Sequence, residues 1–432
     1  MLLAPHWPGR LNADARGLLA IARGDLPIVD HWTASLSWLW RRGHEWLGVE
    51  SGGVLLLQTC TLVVGIYLVL RSCLGRPAAA LLTLPVTLAP ATFGFVGLIG
   101  RDSWFVAATL LAVGCAVTAA RSAGRQRRAG LVAAGLLAGT VAIAARQNGF
   151  TAVAPVFVTL AAVAFTLVDA RRLPSRIASH PAIAASATGA VATVVAMVAV
   201  TGTDRAVREH ALHPESLTFL YDLGYLTLKT ERQLIPRLPP DGVLAQTPEE
   251  VRRLWLPHNA LYMRVPHPEE IAAGTARKAR LVLTDEEVAA ISRAWRQAII
   301  DHPVDYLRGR AFLWRLQAGI GHTPDYVRAA PSEVDKYGYE PPAIPAASAV
   351  SDRYSLLWAG SSGNGGFVHH AWFYLLVCVG GLILALPRFA APVRAAAALP
   401  AAAVVMIIGG RTVIWSYGPR RCCGRCRRRS GR

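Results

Sequence analysis

The stretch Val54–Leu70 decides the fold: it reads VLLLQTCTLVVGIYLVL and contains no charged residue. A bilayer core needs about 20 consecutive apolar residues per helix, so this run predicts a membrane-spanning helix. Seven further apolar stretches follow, at 78–99, 104–120, 129–145, 150–168, 181–201, 368–386 and 391–410. Pro85 and Pro90 interrupt the first of these, which predicts a kinked or broken helix there. We therefore expect an α-helical, polytopic membrane protein with about eight spans.

The composition agrees, and the charges are unevenly distributed. Only 17% of the 432 residues are charged, and the mean hydropathy is +0.35, whereas a soluble domain carries about 25% charged residues. Residues 202–367 contain 20 of the 27 acidic residues and 19 of the 45 basic ones. A uniformly basic nucleic-acid binder is excluded, because the polar stretch is nearly neutral and the basic remainder is apolar.

Five segments follow from these patterns. They are an N-terminal loop at 1–53, six spans within 54–201, a hydrophilic domain at 202–367, two spans within 368–410 and a tail at 411–432. The tail ends in a stretch, 420–432, with seven Arg and three Cys. We interpret this tail as a truncated or frame-shifted end, and a cytoplasmic basic tail is the open alternative. Cys422, Cys423 and Cys426 fit zinc-ligand spacing poorly.

The short loops predict the orientation in the membrane. Four alternate loops contain 11 basic residues and one acid, Asp169, whereas the loops between them contain Arg101, Asp102 and Arg146. Cytoplasmic loops carry an excess of Lys and Arg. We therefore expect residues 1–53, the two sparsely charged loops and residues 202–367 to lie outside the cytoplasm, in a multi-pass plasma-membrane protein.

The outer domain is predicted to be mainly helical. Thr247–Glu250 and Thr284–Glu287 are capping-box patterns that start helices, and Pro303 separates the second of these helices from the next. No cysteine lies in 202–367, so the domain needs no disulfide.

Polar residues of the N-terminal loop are the first candidates for a site. Asp14 lies where a polar helix is expected to begin. Asp30 and His31 precede a segment with four Trp, 32–46, which suits an amphipathic helix at the membrane interface. Asp30 is interpreted either as a site residue or as the N-cap of that helix.

Two short outer loops add further candidates. Arg101 and Asp102 lie between two spans, as either a site or a solvated ion pair. Arg146 and Asn148 lie between another two. An outward Arg opposes the charge bias, which favours phosphate binding over a passive anchor.

The outer domain contributes Tyr221, Asp222 and the run 302–310. Within that run, Arg308 and Arg310 lie in a helix expected close to the membrane, where a guanidinium pairs well with a lipid phosphate. The alternative is a solvated helix face, and for His302 a turn residue.

The chain contains no P-loop, dinucleotide-binding glycine motif or Gly-x-Ser-x-Gly elbow, which argues against an ATP-driven pump and a serine hydrolase.

Together these segments resemble the GT-C-type membrane glycosyltransferases, and in particular uncharacterised actinobacterial-type integral membrane proteins of that class. The resemblance covers roughly 11–320. It rests on short motifs, namely Asn12-Ala13-Asp14, Asp30-His31-Trp32, Gly100-Arg101-Asp102, Arg146-Gln147-Asn148, Tyr221-Asp222-Leu223 and the run from His302 through Tyr306 to Arg308.

The resemblance implies an enzyme that moves a sugar from a polyprenyl-phosphate donor to a glycan or lipid acceptor on the outer face, with inversion. It implies an Asp general base, which falls on Asp14, with Asp30 as second choice. Asp102 matches an acid that assists acceptor or metal binding. A divalent metal stays open, and no nucleotide cofactor and no nucleic-acid partner are expected.

Two other classes stay open. A ligase or polymerase of lipid-linked glycans would use His302, Arg308 and Arg310 of the large outer loop. A transporter would need polar residues within the spans, which contain little beyond Gln58 and some Thr. In a structural membrane protein, no single outer polar residue would be essential.

The charge bias makes the topology testable. Reporter fusions after Arg125 and Arg172 should report a cytoplasmic location, and a fusion after Gln246 should report an outside location, because basic loops are retained in the cytoplasm. A cytoplasmic signal after Gln246 would overturn the orientation and the position of every candidate residue with it.

Overall fold

A computed structural model describes residues 7, 9–11, 13–30, 33–89, 92–93, 96–146, 148–167, 180–237, 247–255 and 283–317. The described chain is mainly helical. Its first part contains strand β1 (Arg10–Leu11), helices α1 (Ala13–Arg23), α2 (Ala34–Leu47), α3 (Ser51–Cys73) and α4 (Arg76–Leu88), and strand β2 (Leu98–Ile99). Helices α5 (Arg101–Arg121), α6 (Arg125–Ala145), α7 (Phe150–Phe165) and α8 (Pro181–Val207) follow. The last part contains α9 (Glu215–Thr230), α10 (Pro248–Leu254), α11 (Asp285–Asp301) and α12 (Pro303–Gln317).

The fold is that of an α-helical membrane protein. Among the described residues, four helices, α3, α5, α6 and α8, are long and apolar enough to cross a membrane, and α4 and α7 are shorter apolar helices. Helix α4 contains Pro85 and ends at Leu88, two residues before Pro90, because a residue that precedes proline disfavours helical geometry. The predicted spans at 368–386 and 391–410 and the tail at 411–432 lie outside the described residues.

Small residues bring α3 and α5 into close contact. A Cβ atom added to Gly65 would lie 2.7 Å from the backbone nitrogen of Leu111, and one added to Gly114 would lie 2.9 Å from the carbonyl oxygen of Gly65. Such close approach lets backbones pack without a strong hydrophobic drive, as is usual between membrane helices. A core around Phe157 and Leu160 of α7 continues this packing to α5, α6 and α8.

The N-terminal segment packs as a folded unit on one end of this bundle. Helix α1 buries Leu18, Leu19 and Ile21, and Leu11 and Leu18 share a core with Leu55 of α3. The helix predicted to begin near Asp14 is therefore present, but it is largely buried. In α2, Trp40 is buried in the same core whereas Trp46 is 71% exposed. The Trp side chains of α2 therefore divide between the protein interior and the surface.

Arg41 joins this segment to the end of α8. Its guanidinium donates to the carbonyl oxygens of Ile21 (2.8 Å) and Leu26 (2.6 Å) and pairs with Glu209 at 2.8 Å. The backbone nitrogen of Glu209 donates in turn to the carbonyl oxygen of Ile28. The connection between α8 and α9 is thus bonded to the connection between α1 and α2.

The described part of 202–367 has its own helical core. Leu220 and Leu223 of α9 pack with Val251 of α10 and Ile291 of α11. Both predicted capping boxes are present, with reciprocal side-chain to backbone bonds at Thr247–Glu250 and Thr284–Glu287. Helix α11 ends at Asp301 and α12 begins at Pro303, as the sequence predicts.

The contact between α3 and α5 makes a prediction about stability. Gly65→Ala should lower the free energy of unfolding by about 1–3 kcal/mol, the usual cost of overpacking, because the new methyl group meets backbone atoms. Gly130→Ala on α6 is the matched control, since nothing lies within 4 Å of its added Cβ. Thermal unfolding in detergent measures both variants, and equal midpoints would contradict the close approach.

Candidate functional site

An ion pair joins two loops at one end of the bundle. Asp102 lies in the first turn of α5, and Arg146 follows the last residue of α6. Their side chains form a salt bridge, with Arg146 11% and Asp102 37% exposed. Each charge is favourable where it lies, because a helix N-terminus favours an acid and a C-terminus favours a base. Two of the predicted outer loops therefore meet, as the site hypothesis requires.

Arg101 lies beside this pair. It is the first residue of α5 and is only 8% exposed. The alternative of a solvated ion pair therefore does not describe Arg101. A guanidinium held at a helix N-terminus gives this end of the bundle positive potential, which suits an anionic group.

A short sheet brings the start of α1 to the same place. Strands β1 and β2 are parallel, with Arg10 opposite Leu98 and Leu11 opposite Ile99. Helix α1 begins two residues after β1, at Ala13, and α5 begins two residues after β2, at Arg101. The N-termini of α1 and α5 thus start from the same sheet. Asp14 belongs to the first turn of α1, although its side chain lies outside the described part.

Asp30 is bound in a second polar cluster. One carboxylate oxygen accepts a 2.6 Å bond from the backbone nitrogen of Leu212, and the other pairs with Arg208 at 3.2 Å. The N-cap interpretation of Asp30 is wrong, because α2 begins one turn later with Thr33 as its N-cap residue. The start of α2 is held by Asp204 of α8, which accepts a 2.6 Å bond from the nitrogen of Ser35. His31 lies outside the described residues.

A buried carboxylate joins the helices in the described part of residues 202–367. Asp222 of α9 is 4% exposed and forms a salt bridge with Arg310 of α12. The indole nitrogen of Trp295 on α11 donates to the same carboxylate oxygen at 2.8 Å. Arg310 also donates to the Tyr306 hydroxyl at 3.2 Å and lies over its ring. These contacts connect three helices through one acid.

Burial raises the pKa of Asp222 from 3.8 to about 6, and the nearby Arg310 guanidinium and the Trp295 indole oppose that rise. Burial, with the neighbouring Asp222 carboxylate, also raises the pKa of Tyr221. Tyr221 is 4% exposed, and its carbonyl oxygen accepts a 3.0 Å bond from the Trp255 indole. Tyr221 and Asp222 are thus interior residues of the domain.

The remaining predicted residues have local contacts. His302 is the C-cap of α11. Arg308 is 72% exposed and pairs with Asp305 on its own helix at 3.2 Å. The carbonyl oxygen of Asn148 accepts a 2.9 Å bond from the Thr151 hydroxyl in the turn between α6 and α7. Arg308 and Arg310 do not act together, because they point to different sides of α12.

Sequence reasoning missed three partners, Asp204, Arg208 and Trp295. The sequence offered one signal for Asp204, since it is one of the few acids within three residues of the end of an apolar stretch. Within the described ranges, no group of three or more His, Cys, Asp or Glu side chains is placed to hold a metal.

The chain was compared with protein families, with curated proteins and with solved structures, and no match was found in any of the three. The site is therefore argued from its own geometry.

The Asp222–Arg310 pair predicts a pH-dependent stability. With a raised native pKa, the native state binds more protons than the unfolded state between about pH 4 and pH 6. The free energy of unfolding therefore falls as the pH rises through that window. Arg310→Gln should deepen the fall, since the ionised acid loses its partner, and should cost about 3–5 kcal/mol at pH 8 but less at pH 5.

Arg308→Gln is the matched control on the same helix. It removes an exposed pair, so a change below about 1 kcal/mol is expected at both pH values. Thermal unfolding midpoints of the two variants at pH 5 and pH 8 measure the difference. If the unfolding midpoints of the two variants change by the same amount between pH 5 and pH 8, the Asp222–Arg310 pair is not ionised as described.

Proposed function

We propose that this chain is a membrane glycosyltransferase that moves a sugar from a polyprenyl-phosphate donor to a glycan or lipid acceptor outside the cytoplasm. The observation that carries the proposal is the convergence of Arg101, the Asp102–Arg146 pair and the start of α1 at one end of the helical bundle. This arrangement combines acids and guanidinium groups where a lipid-linked phosphate would lie. The resemblance described above points to the same chemistry.

The proposed reaction is a single displacement. The acceptor hydroxyl oxygen attacks the anomeric carbon from the side opposite the phosphate, so the configuration inverts. The bond from the anomeric carbon to the phosphate oxygen breaks, and the polyprenyl phosphate leaves with the electron pair. An Asp carboxylate takes the hydroxyl proton, and positive charge stabilises the departing phosphate.

Asp14 is the preferred base among the three acids. Both carboxylate oxygens of Asp30 already accept bonds, from Leu212 and Arg208. Asp102 is held by Arg146, which suits it to positioning. Asp14 lies in the first turn of α1, which starts from the same short sheet as α5.

Arg101 and Arg146 are the proposed phosphate ligands. Both side chains are mainly buried at the end of the bundle, where Arg146 pairs with Asp102, the residue that follows Arg101 in the chain. A lipid donor explains why such a site would lie at the membrane boundary and need no nucleotide-binding motif.

Two observations support a position of the site outside the cytoplasm. At the other end of the bundle, Arg128 bonds to the Ser122 carbonyl oxygen and to the Thr166 hydroxyl, beside the basic loop of residues 121–128. The Arg101, Asp102 and Arg146 end has both signs of charge. Under the positive-inside rule the mixed end lies outside the cytoplasm.

The ligase alternative receives less support from the late loop. Arg310 is neutralised by Asp222 inside the domain, and Arg308 pairs locally with Asp305. No described contact brings His302 to either guanidinium. The alternative is therefore kept as an outcome of the activity test.

Asp14→Asn should reduce sugar transfer by about 10²–10⁴-fold, because a general base contributes about that much to the rate. The assay uses membranes that contain the full chain, a radiolabelled polyprenyl-phosphate hexose and extracted glycan or lipid acceptors. Asp25→Asn is the matched control, since Asp25 is exposed in the same N-terminal segment. Size-exclusion chromatography checks that both variants fold.

Full activity of Asp14→Asn would remove Asp14 as the base, and a loss in Asp30→Asn or Asp102→Asn would move the role there. If all three Asn variants stay active while His302 and Arg308 variants fail, the ligase is the better description. If no outer polar residue matters, the chain is not an enzyme of either kind.

A further inference from the structure

Helix α12 exposes large apolar side chains in a domain that is otherwise hydrophilic. Val304 is 58% exposed, Leu307 65% and Phe312 38%, and Ile300 at the end of α11 is 72% exposed. Isolated exposed apolar residues are ordinary, but a contiguous set at helical spacing marks an interaction surface. Val304, Leu307 and Ala311 are spaced by three and four residues, so they lie on one side of the helix. We name the side formed by Val304, Leu307, Arg308, Ala311, Phe312 and Arg315 the α12 outer face.

The opposite side of the helix fixes this orientation. Leu313 is 4% exposed, and Arg310 is bonded to buried Asp222 of α9. A Cβ atom added to Gly309 would lie 2.6 Å from the ring of Tyr225. Helix α12 cannot turn its apolar side chains inward without breaking these contacts. The contacts on the opposite side of α12 therefore keep the outer face exposed.

The outer face is basic as well as apolar. Arg308 and Arg315 are exposed and lie seven residues apart, on the same side of the helix as Val304 and Ala311. Long arginine side chains beside apolar groups are typical of helices that lie in a membrane interface, where the stems cover apolar surface and the guanidinium groups reach phosphates.

The domain is also held close to the membrane. The segment that follows α8 is bonded to the end of the bundle at His210, whose backbone nitrogen donates to the Ile28 carbonyl oxygen at 3.2 Å. Helix α9 begins five residues later, a reach of at most about 17 Å of extended chain. The His213 ring then bridges Glu215 of α9 and Asp285 of α11. Helix α8 is long and apolar enough to cross a membrane, so a bilayer around its end would lie within this reach of α9.

We infer that the α12 outer face is a membrane-docking surface, seated in the head-group layer of a bilayer that contains anionic phospholipid. Val304, Leu307 and Phe312 enter the boundary between head groups and acyl chains. Arg315 pairs with lipid phosphates, and Arg308 exchanges its exposed pair with Asp305 for such a phosphate. The docking holds the outer domain against the membrane, and it is independent of the reaction proposed above.

Site-directed fluorescence in the full chain tests this surface. All seven native cysteines are first replaced. Two variants then carry one new cysteine each, Leu307→Cys in the first and Val304→Cys in the second. The new cysteine is labelled with an environment-sensitive dye. The proteins are reconstituted in phosphatidylcholine vesicles that contain phosphatidylglycerol. Glu249→Cys on α10 is the matched control, because Glu249 is exposed on another helix of the same domain.

Phosphatidylcholine that carries a nitroxide near its head group should quench the dye at both α12 positions and leave the control unquenched, since interfacial helices bury their apolar side about 5–10 Å deep. Aqueous iodide should quench the dye at the control position more strongly than the dye at the two α12 positions. Omission of phosphatidylglycerol should weaken the lipid quenching, because the two arginines then lose anionic partners.

Two results would overturn the inference. Iodide quenching at both α12 positions equal to that of the control would show a face open to water. Protection from both quenchers would show that protein covers the face, either a later segment of this chain or a second molecule. Size-exclusion chromatography of each labelled protein confirms that the comparison concerns folded chains.

Discussion

The three bonds of Arg41 form the junction on which the rest of this structure depends. The first 50 residues contain two short helices, and short helices gain most of their stability from packing rather than from propensity. Arg41 bonds to carbonyl oxygens in α1 and in the loop after it, and pairs with Glu209 beyond α8. A planar guanidinium can make these bonds simultaneously because its donors form a rigid fork. The N-terminal segment and the connection to the outer domain are therefore held together at one end of the bundle.

That junction explains why polar residues from distant parts of the chain meet. Once α1 is fixed, the pairing of β1 with β2 sets the start of α1 beside the start of α5. The Asp102–Arg146 pair then adds the turn after α6 to the same end. Helix ends carry partial charges, so acids at N-termini and bases at C-termini stabilise the arrangement. The start of α1, the start of α5 and the end of α6 are thus joined at one end of the bundle by these contacts.

In the hydrophilic domain, helix α12 has charges with different roles on its two sides. Residues two apart on a helix differ by about 200° in direction, so Arg308 and Arg310 have opposite environments. Arg310 enters the interior and meets Asp222, whereas Arg308 lies on the exposed side with Val304 and Leu307. One helix thereby serves both the cohesion of the domain and the contact with its surroundings.

Sequence by itself determined the features that depend on near neighbours along the chain. The apolar helices, the end of α4 before Pro90, both capping boxes and the boundary at His302 and Pro303 were all predictable, because hydrophobic burial in lipid and helix termination act within a few residues. Only the tertiary structure decided which partner each charge takes. By sequence Asp30 was either a site residue or a helix cap, and it binds Arg208 and Leu212. Asp222 binds Arg310 and Trp295 from two other helices. These pairs join residues about 70 to 180 positions apart. Such contacts depend on how whole helices pack, so they leave no periodic pattern in the sequence.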